Sequence, residues 1–547
     1  MATGTSVALC WLGPMVHVAL AGASLTLAWD RSTDKNVVGY NLYYGVASRT
    51  YTNMIACGNT TNATVTQLQE GTRYYFAATT LDSAGLESEF STEISATPAG
   101  GMYDGVNLND PSQAMADPDG DGRSNLMEYA LGTNPFNSAD NQDGLQPWMT
   151  QASGSPYLAI QYKRRKDVVG LQYIPEVSTN NQSWLSDAGH VQEISVATLD
   201  SQFDWVTALD QTPVSATAAQ FIRLKVILGT NVTASEALIG SATTLLGNGG
   251  NGARNTLFSQ RMVTPLAYAG IVSHLGAATL TDSNAAWTVN QFNGTNGSFY
   301  AAFTNGWTVD ITNTDASTHT LDLGSDVRAV AAPGAPYTIR KHFTIATLFG
   351  PTNQVGLAAG QNPSAADNIL LTIPESQQTM TIFYFNDGAG TQGWFRADYS
   401  SAADQVIYPE QGLVVRRGST GDLLLTLAGP IKNGPTVAPI NTGYNLLGTL
   451  QAVTNLTLPQ LNLYTGDPNT GVAGGLNPSA ADNLLLVQPD STVATYFYYQ
   501  DSAGNQGWLD AAYNSAQSVS VPAGSAFYLR RKTPYPAFNW IMLGNGR

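Results

Sequence analysis

The sequence predicts a mostly β chain, built of several β-sandwich-like domains in tandem with one short loop-and-helix segment among them. Three observations predict it. Short runs in which apolar and polar residues alternate recur through the 547 residues, separated by turn signals. Gly (53) and Pro (26) are plentiful while charged residues are only 12%, a profile of turn-rich sheets with uncharged polar faces rather than of long helices. Long blocks of the C-terminal half recur at a nearly constant offset, so at least two pieces share one pattern.

In chain order, residues 1–23 read as an export signal. The first 29 residues hold no Lys, Arg, Asp or Glu, Val7–Leu12 and Met15–Ala21 are apolar, and Ala21-Gly-Ala23 offers a small-residue cleavage site. This places the chain outside the cell or on its surface. The basic flank of a signal is missing, and the other reading is that Val16–Leu20 is the first strand of the next domain. Residues 24–98 carry strands at Ser24–Trp29, Val38–Tyr44, Thr64–Leu68 and Tyr74–Thr79, with Trp29 closing the first, Leu68-Gln-Glu-Gly71-Thr72-Arg-Tyr74 forming a corner, and Asp82-Ser-Ala-Gly85-Leu-Glu-Ser88 leading to a last strand. On these residues the segment resembles a fibronectin type III domain, with Glu70 where that pattern has proline. The resemblance implies a β-sandwich spacer or adhesive module.

Residues 99–146 are expected to be a linker that carries the most readable chemistry in the chain. Pro98-Ala-Gly-Gly101 opens it, and Asp117-Pro-Asp119-Gly-Asp121-Gly122-Arg123-Ser-Asn125-Leu-Met-Glu128 follows. Side-chain oxygens stand at positions 1, 3, 5, 9 and 12, and Arg123 at position 7 lends its backbone carbonyl. Gly122 makes the sharp turn, and Glu128 can bind through both oxygens. A hard cation needs this many oxygens, and the spacing points to Ca2+. Ser124–Leu131 reads as a helix stopped at Gly132, whereas Asp110-Pro111 allows only a very short helix before the loop. With that short entry the segment resembles the calcium repeats of dockerins and thrombospondin type 3 arrays, which implies a structural clip. Four acids in one loop should repel without the ion, with Arg123 offsetting them only at the rim. Asp140, Asn141 and Asp143 add oxygens downstream without completing a second loop.

Residues 147–230 are expected to form a β domain, with strands at Tyr157–Lys166, Leu171–Val177 and Phe221–Val226. Its basic run Lys163–Lys166 reads as a solvated strand end. Residues 231–345 read as a β lead-in, and 346–435 and 436–547 as two repeats. Asn362-Pro-Ser-Ala-Ala-Asp367-Asn368 recurs as Asn477-Pro-Ser-Ala-Ala-Asp482-Asn483. Phe383–Trp394 recurs as Phe497–Trp508, and Val415-Arg416-Arg417 as Leu529-Arg530-Arg531, at offsets of 114 and 115. The period is too long for a solenoid and leaves open whether the repeats make one domain or two. The whole layout loosely resembles repeat-containing bacterial secreted and surface proteins.

The repeated hairpins admit two readings. Trp394 and Trp508 could be sugar-stacking platforms, with Asp387 and Asp501 accepting hydroxyl hydrogen bonds from a polysaccharide. Alternatively the tryptophans are core and the aspartates hold turns, which the dominance of aromatics in β cores favours. Asp367 and Asp482 read as turn caps rather than metal ligands.

Function classes narrow accordingly. A formal net charge of −16 argues against nucleic acid and anionic membranes as partners. No later stretch reaches the roughly 18 apolar residues of a membrane span. Two cysteines, Cys10 and Cys57, cannot build a disulfide scaffold. His190, His274, His319 and His342 are scattered, and neither a nucleophile elbow nor a phosphate loop is present. The expectation is a non-catalytic extracellular structural or adhesive protein with a calcium-rigidified joint, suited to self-association into a filament or layer. A carbohydrate-binding accessory role is the alternative, and a carboxylate pair for sugar hydrolysis is the remaining enzymatic reading.

Overall fold

In the computed structural model, the described residues run from 23 to 545, apart from 69–71, 98–102, 104–105, 107, 109, 141–143, 153, 167, 169, 230–231, 248–253, 374 and 489–491. The expected signal (save Ala23), Cys10, the corner at 69–71, the linker start at 98–101, and Asn141 and Asp143 lie outside the described residues. The described chain is nearly all β, as the alternation predicts, and divides into two units, 1–107 and 108–547.

The first unit is a two-sheet sandwich. Strand Ala23–Ala28 pairs antiparallel with Asn62–Leu68, and a four-stranded sheet runs Asn53–Gly58, Val37–Gly45, Tyr74–Asp82, Ile94–Ala96. Period-two patterning puts Leu27, Leu42, Val65, Leu68 and Phe76 in the core, with Trp29 packed at its margin and 5.8 Å from the Tyr40 ring. Glu87, in the loop before the last strand, accepts from Asn41, Tyr43 and Thr79, so the loop is held to the sheet face by one carboxylate.

The second unit begins with two four-stranded sheets packed face to face. One runs Val191–Thr198, Phe203–Asp210, Ser155–Arg165, Leu145–Ala152; the other runs Leu423–Pro430, Val232–Leu246, Ala219–Leu228, Leu171–Ser178. Leu158, Ile160, Tyr162 and Val206 of the first and Ile222, Leu224 and Val226 of the second are buried, and the Tyr162 and Tyr173 rings stack at 5.9 Å. The boundary expected at 230 therefore falls inside a hairpin: Ala219–Leu228 pairs with Val232–Leu246 along its length. The basic run also differs from expectation. Arg164 pairs with Glu193 and Lys166 with Asp204, but Arg165 is buried, its guanidinium 4.5 Å from the Tyr129 ring and 4.8 Å from that of Phe203.

The repeats form two similar sheets with separate cores, joined by a small apolar contact of Leu257, Val414, Leu446 and Ala526. The first sheet runs Arg254–Ser259, Gly412–Arg417, Asn368–Ile373, Gln378–Asn386, Gln392–Arg396. The second runs Gly443–Gly448, Ala526–Arg531, Asn483–Val487, Val493–Gln500, Gln506–Asp510. The correspondence extends beyond the blocks legible in sequence. Val232–Leu246 with Leu423–Pro430 occupies in the first repeat the place that Thr436–Ile440 with Phe538–Met542 occupies in the second. The first repeat is thus discontinuous. Between Ser259 and Phe343 it receives a seven-stranded sheet, ordered Leu266–Ile271, Pro336–Lys341, Phe299–Phe303, Thr308–Asp315, Thr320–Leu323, Thr279–Thr281, His274–Leu275, with its own core around Trp287, Phe292, Leu321 and Ile339. The expected lead-in 231–345 is an inserted sheet plus three strands of the surrounding fold, Val232–Leu246, Arg254–Ser259 and Phe343–Thr344.

Each repeat carries a buried ion pair. Asp482 accepts from Arg531 Nη1 at 2.5 Å, from Ala473 N at 2.8 Å and from Lys532 N at 2.7 Å. Asp367 accepts from Arg417 Nε at 3.3 Å, from Ala358 N and Gly418 N at 2.9 Å, and from the Ser419 hydroxyl at 2.7 Å. These aspartates lock loops to the strand bearing the arginine.

Candidate metal centre

The loop 117–128 is built into the second unit rather than strung as a linker. α1 (Pro111–Ala114) precedes it, capped by Asp110, whose carboxylate accepts from Ser112 N; the entry is as short as Asp110-Pro111 predicts. α2 (Asn125–Leu131) follows, with Ser124 as N-cap and Gly132 in the left-handed region at its end. All seven residues of α2 are buried. Its Leu126, Met127, Tyr129, Ala130 and Leu131 belong in a core, and the helix packs against strands Ser155–Arg165, Ala219–Leu228 and Val232–Leu246. Its last carbonyls are met by distant side chains: Arg165 Nε donates to Tyr129 O at 3.0 Å and the Tyr173 hydroxyl to Ala130 O at 2.6 Å.

The loop's own backbone is folded by its acids. Asp117 accepts from Gly120 N at 2.9 Å and Gly122 N at 3.0 Å, Asp119 from Asp121 N at 3.2 Å, and Asp121 from Arg123 N at 2.7 Å. Gly120 faces the inserted sheet so closely that a Cβ there would stand 2.4 Å from Pro336 Cβ. The packing of the loop is therefore with the sandwich 145–246 and the inserted sheet, within the second unit.

Carboxylate oxygens of Asp117, Asp119 and Asp121 lie within 4.8 Å of one another, and so do those of Asp121, Glu128 and Asp140. Glu128 is wholly buried, and neither of its carboxylate oxygens has a hydrogen-bond partner; Asp119 Oδ2 and Asn125 Oδ1 are orphaned in the same way. Asn125 spends its amide nitrogen on Gln113 O at 2.7 Å, which leaves the oxygen for the loop. Burial above all, and then Asp121, pushes the Asp119 carboxyl up to about 8. Burial followed by Asp119, Asp121 and Asp140 pushes Glu128 up to about 9. Unpaired buried acids are costly, and a cation among them removes the cost. The donors are all oxygen, which fits a hard divalent ion and not one that prefers nitrogen or sulfur.

Two residues stand differently from expectation. Arg123 is only 2% exposed, not a rim charge, and close enough to Glu128 to act on its carboxyl. Asp140, which the spacing rule leaves out, joins Asp121 and Glu128. It sits in the turn Ser138–Asp140, which is fastened to the inserted sheet by Ser138 Oγ donating to Ala269 O at 2.9 Å.

The hairpin residues do not form a binding face. Trp394 and Trp508 are 2% and 3% exposed and lie in the two repeat cores, with Trp394 Nε1 donating to Gly350 O at 2.8 Å. The platform reading fails because the alternation of strands Gln392–Arg396 and Gln506–Asp510 turns both rings inward. Asp387 accepts from Ala389 N and Thr391 N, and Asp501 from Ala503 N and Asn505 N, so both hold turns. Among the histidines, His342 is buried with Nε2 2.9 Å from Asp310 Oδ1, and the Tyr408 hydroxyl donates to the other oxygen of that carboxylate at 3.0 Å. This trio joins the inserted sheet to the first repeat, a grouping that scattered positions do not reveal. No helix among the described residues is long and apolar enough to cross a membrane.

No curated protein matches the chain. Among solved structures, an α-L-rhamnosidase of Dictyoglumus thermophilum is 8% identical, over 58% of this chain and 44% of that one, with a TM-score of 0.16. An α-L-rhamnosidase of Streptomyces avermitilis complexed with L-rhamnose is 11% identical, over 96% and 54%, with a TM-score of 0.11. The chain spans about half the length of these enzymes, and scores this low support no common fold or activity. The fibronectin type III domain family matches residues 14–97, reaching into the stretch expected as a signal; with the sandwich at 23–96 it makes the first unit a fibronectin type III domain.

Proposed function

We propose that the chain is a non-catalytic extracellular structural or adhesive protein in which bound calcium clips the inserted sheet to the sandwich 145–246. The observation that carries this is Glu128, wholly buried with both oxygens unpaired and within 4.8 Å of Asp121 and Asp140 oxygens. Asp117, Asp119, Asp121, Asn125 and Glu128 would hold the ion, with the Arg123 backbone carbonyl as a further oxygen. The ion would supply no chemistry beyond charge and geometry. It would turn a self-repelling acidic loop into a fixed brace, since α2 is rooted in the sandwich while Gly120 and Ser138 meet the inserted sheet.

The fibronectin type III domain supports a spacer or adhesive setting outside the cell. Extracellular calcium modules commonly bind with dissociation constants on the order of 10⁻⁴–10⁻³ M, concentrations met outside cells. Self-association into a filament or layer belongs to the same reading. The test is limited proteolysis and small-angle scattering of the whole chain in calcium and in chelator. Chelation is expected to open cleavage within residues 110–140 and to increase the dimensions; unchanged cleavage and unchanged dimensions would sink the proposal.

A further inference from the structure

The two acidic triads share one residue, and that sharing sets the number of ions. Oxygens bound to one calcium lie about 2.3–2.6 Å from it, so any two of them are at most about 5 Å apart. Asp117, Asp119 and Asp121 meet that limit together, and Asp121, Glu128 and Asp140 meet it as a second set. A single twelve-residue calcium loop ends at its bidentate Glu and has no place for Asp140, which comes from a turn beyond α2.

The second set is the more enclosed of the two: Glu128 is wholly buried and Asp121 is buried beside it, whereas Asp117 of the first set is exposed. The orphaned oxygens of Asp119 and Glu128 fall one in each triad, so each triad has an unfilled acceptor of its own.

We propose that the segment binds two divalent cations, one on Asp117, Asp119 and Asp121 and the other on Asp121, Glu128 and Asp140, with Asp121 as the bridge. This rests on the reading of the loop as a calcium site. The second ion is the one that couples the parts of the fold. Glu128 belongs to α2, which is packed in the sandwich, whereas Asp140 belongs to the turn held to Ala269 of the inserted sheet.

The experiment is calcium stoichiometry of the full chain by isothermal titration, with ions counted independently by native mass spectrometry, for the natural sequence and for Asp140→Asn. Two ions are expected for the natural chain and one for the variant. One ion in the natural chain overturns the second site while leaving the calcium reading in place; none overturns both. Two ions retained in Asp140→Asn overturn the assignment of Asp140. Should that variant fail to fold, counting on the natural chain still decides between one ion and two, and manganese anomalous scattering from crystals of that chain locates each site.

Discussion

Replacing Glu128 by Gln should stabilise the second unit without calcium, and calcium should cancel that gain. In chelator, Glu128 lies within 4.8 Å of oxygens of both Asp121 and Asp140. At an effective dielectric of about 20, each such pair of charges repels by about 3.5 kcal/mol. The chain escapes part of this by protonating Glu128, whose carboxyl is pushed from 4.5 up to about 9. Holding a proton at pH 7 against a model value of 4.5 costs about 3 kcal/mol. Protonation is the cheaper route, so it sets the size of the effect. Gln is neutral at no such cost, and Glu128→Gln should stabilise the calcium-free unit by up to about 3 kcal/mol. For a unit of this length that is roughly 3 °C in Tm, if it unfolds as one. The sign also fixes a pH dependence. A raised carboxyl contributes stability below pH about 4.5 that is lost as pH climbs to about 9, so the natural chain in chelator should weaken over that window and the variant less, the remaining loss coming from Asp119, itself pushed up to about 8. In calcium at a hundred times the dissociation constant, an ion contributes about 2.7 kcal/mol, and removing its bidentate ligand forfeits most of that, which cancels the gain and leaves the variant about as stable as the natural chain. Differential scanning fluorimetry in chelator and in calcium reads both shifts. An equal Tm shift in both conditions would refute the reasoning, because a merely structural Glu128 has no way to know whether calcium is present.

Other substitutions test the repeats and their assembly. Arg531→Met leaves buried Asp482 with only two backbone donors and should cost about 3–5 kcal/mol; Arg417→Met should cost less, because Asp367 keeps the Ser419 hydroxyl and three backbone donors, and urea unfolding followed by tryptophan fluorescence compares the two. Trp394→Ala and Trp508→Ala should each cost about 3–5 kcal/mol as core cavities, and a glycan array should show no binding that depends on either ring once fold is accounted for. Electron microscopy of the purified chain in calcium should show ordered assemblies that chelator disperses, whereas monomers in both conditions would remove self-association from the proposal.

The elements legible in sequence are those whose signal is local. Leu27, Leu42 and Phe76 fall inward by alternation alone, and the loop ligands are spaced by the ion's own geometry, so both can be read along the chain. Ser124 and Gly132 delimit α2 because caps are also local. Asp140 is different. It joins Glu128 only through a turn after α2 and an anchor on Ala269, which no spacing rule encodes. Arg123 and Arg165 read as surface charges because nothing nearby in sequence announces their surroundings; for Arg165 these are aromatic rings on α2 and on a separate strand. The inserted sheet escapes notice for a related reason. Arg254–Ser259 pairs with Gly412–Arg417 across more than 150 residues, and the equivalent pairing in the second repeat joins Gly443–Gly448 to Ala526–Arg531. Only the later part of the duplication keeps enough identical residues to show the offset.

Among the acids buried in this chain, those of the repeats and those of the loop 117–128 contrast in a way that supports the proposed ion. In the repeats each buried aspartate is supplied with an arginine and with backbone donors: Asp482 with Arg531, Asp367 with Arg417. Those sites are electrically complete as the polypeptide stands, which is why Asp367 and Asp482 hold loops and bind no metal in our reading. The loop at 117–128 is made the other way. Its carboxylates outnumber its one guanidinium, and the oxygens of Glu128 are left without donors although the surrounding strands could have provided a lysine or arginine, as Arg165 shows a few ångströms from Tyr129. On the proposed reading, a chain that neutralises the buried aspartates of both repeats internally takes from solution the charge that balances this group beside the junction with its inserted sheet. The proposed response to calcium then falls in the second unit, where α2 and the turn Ser138–Asp140 meet.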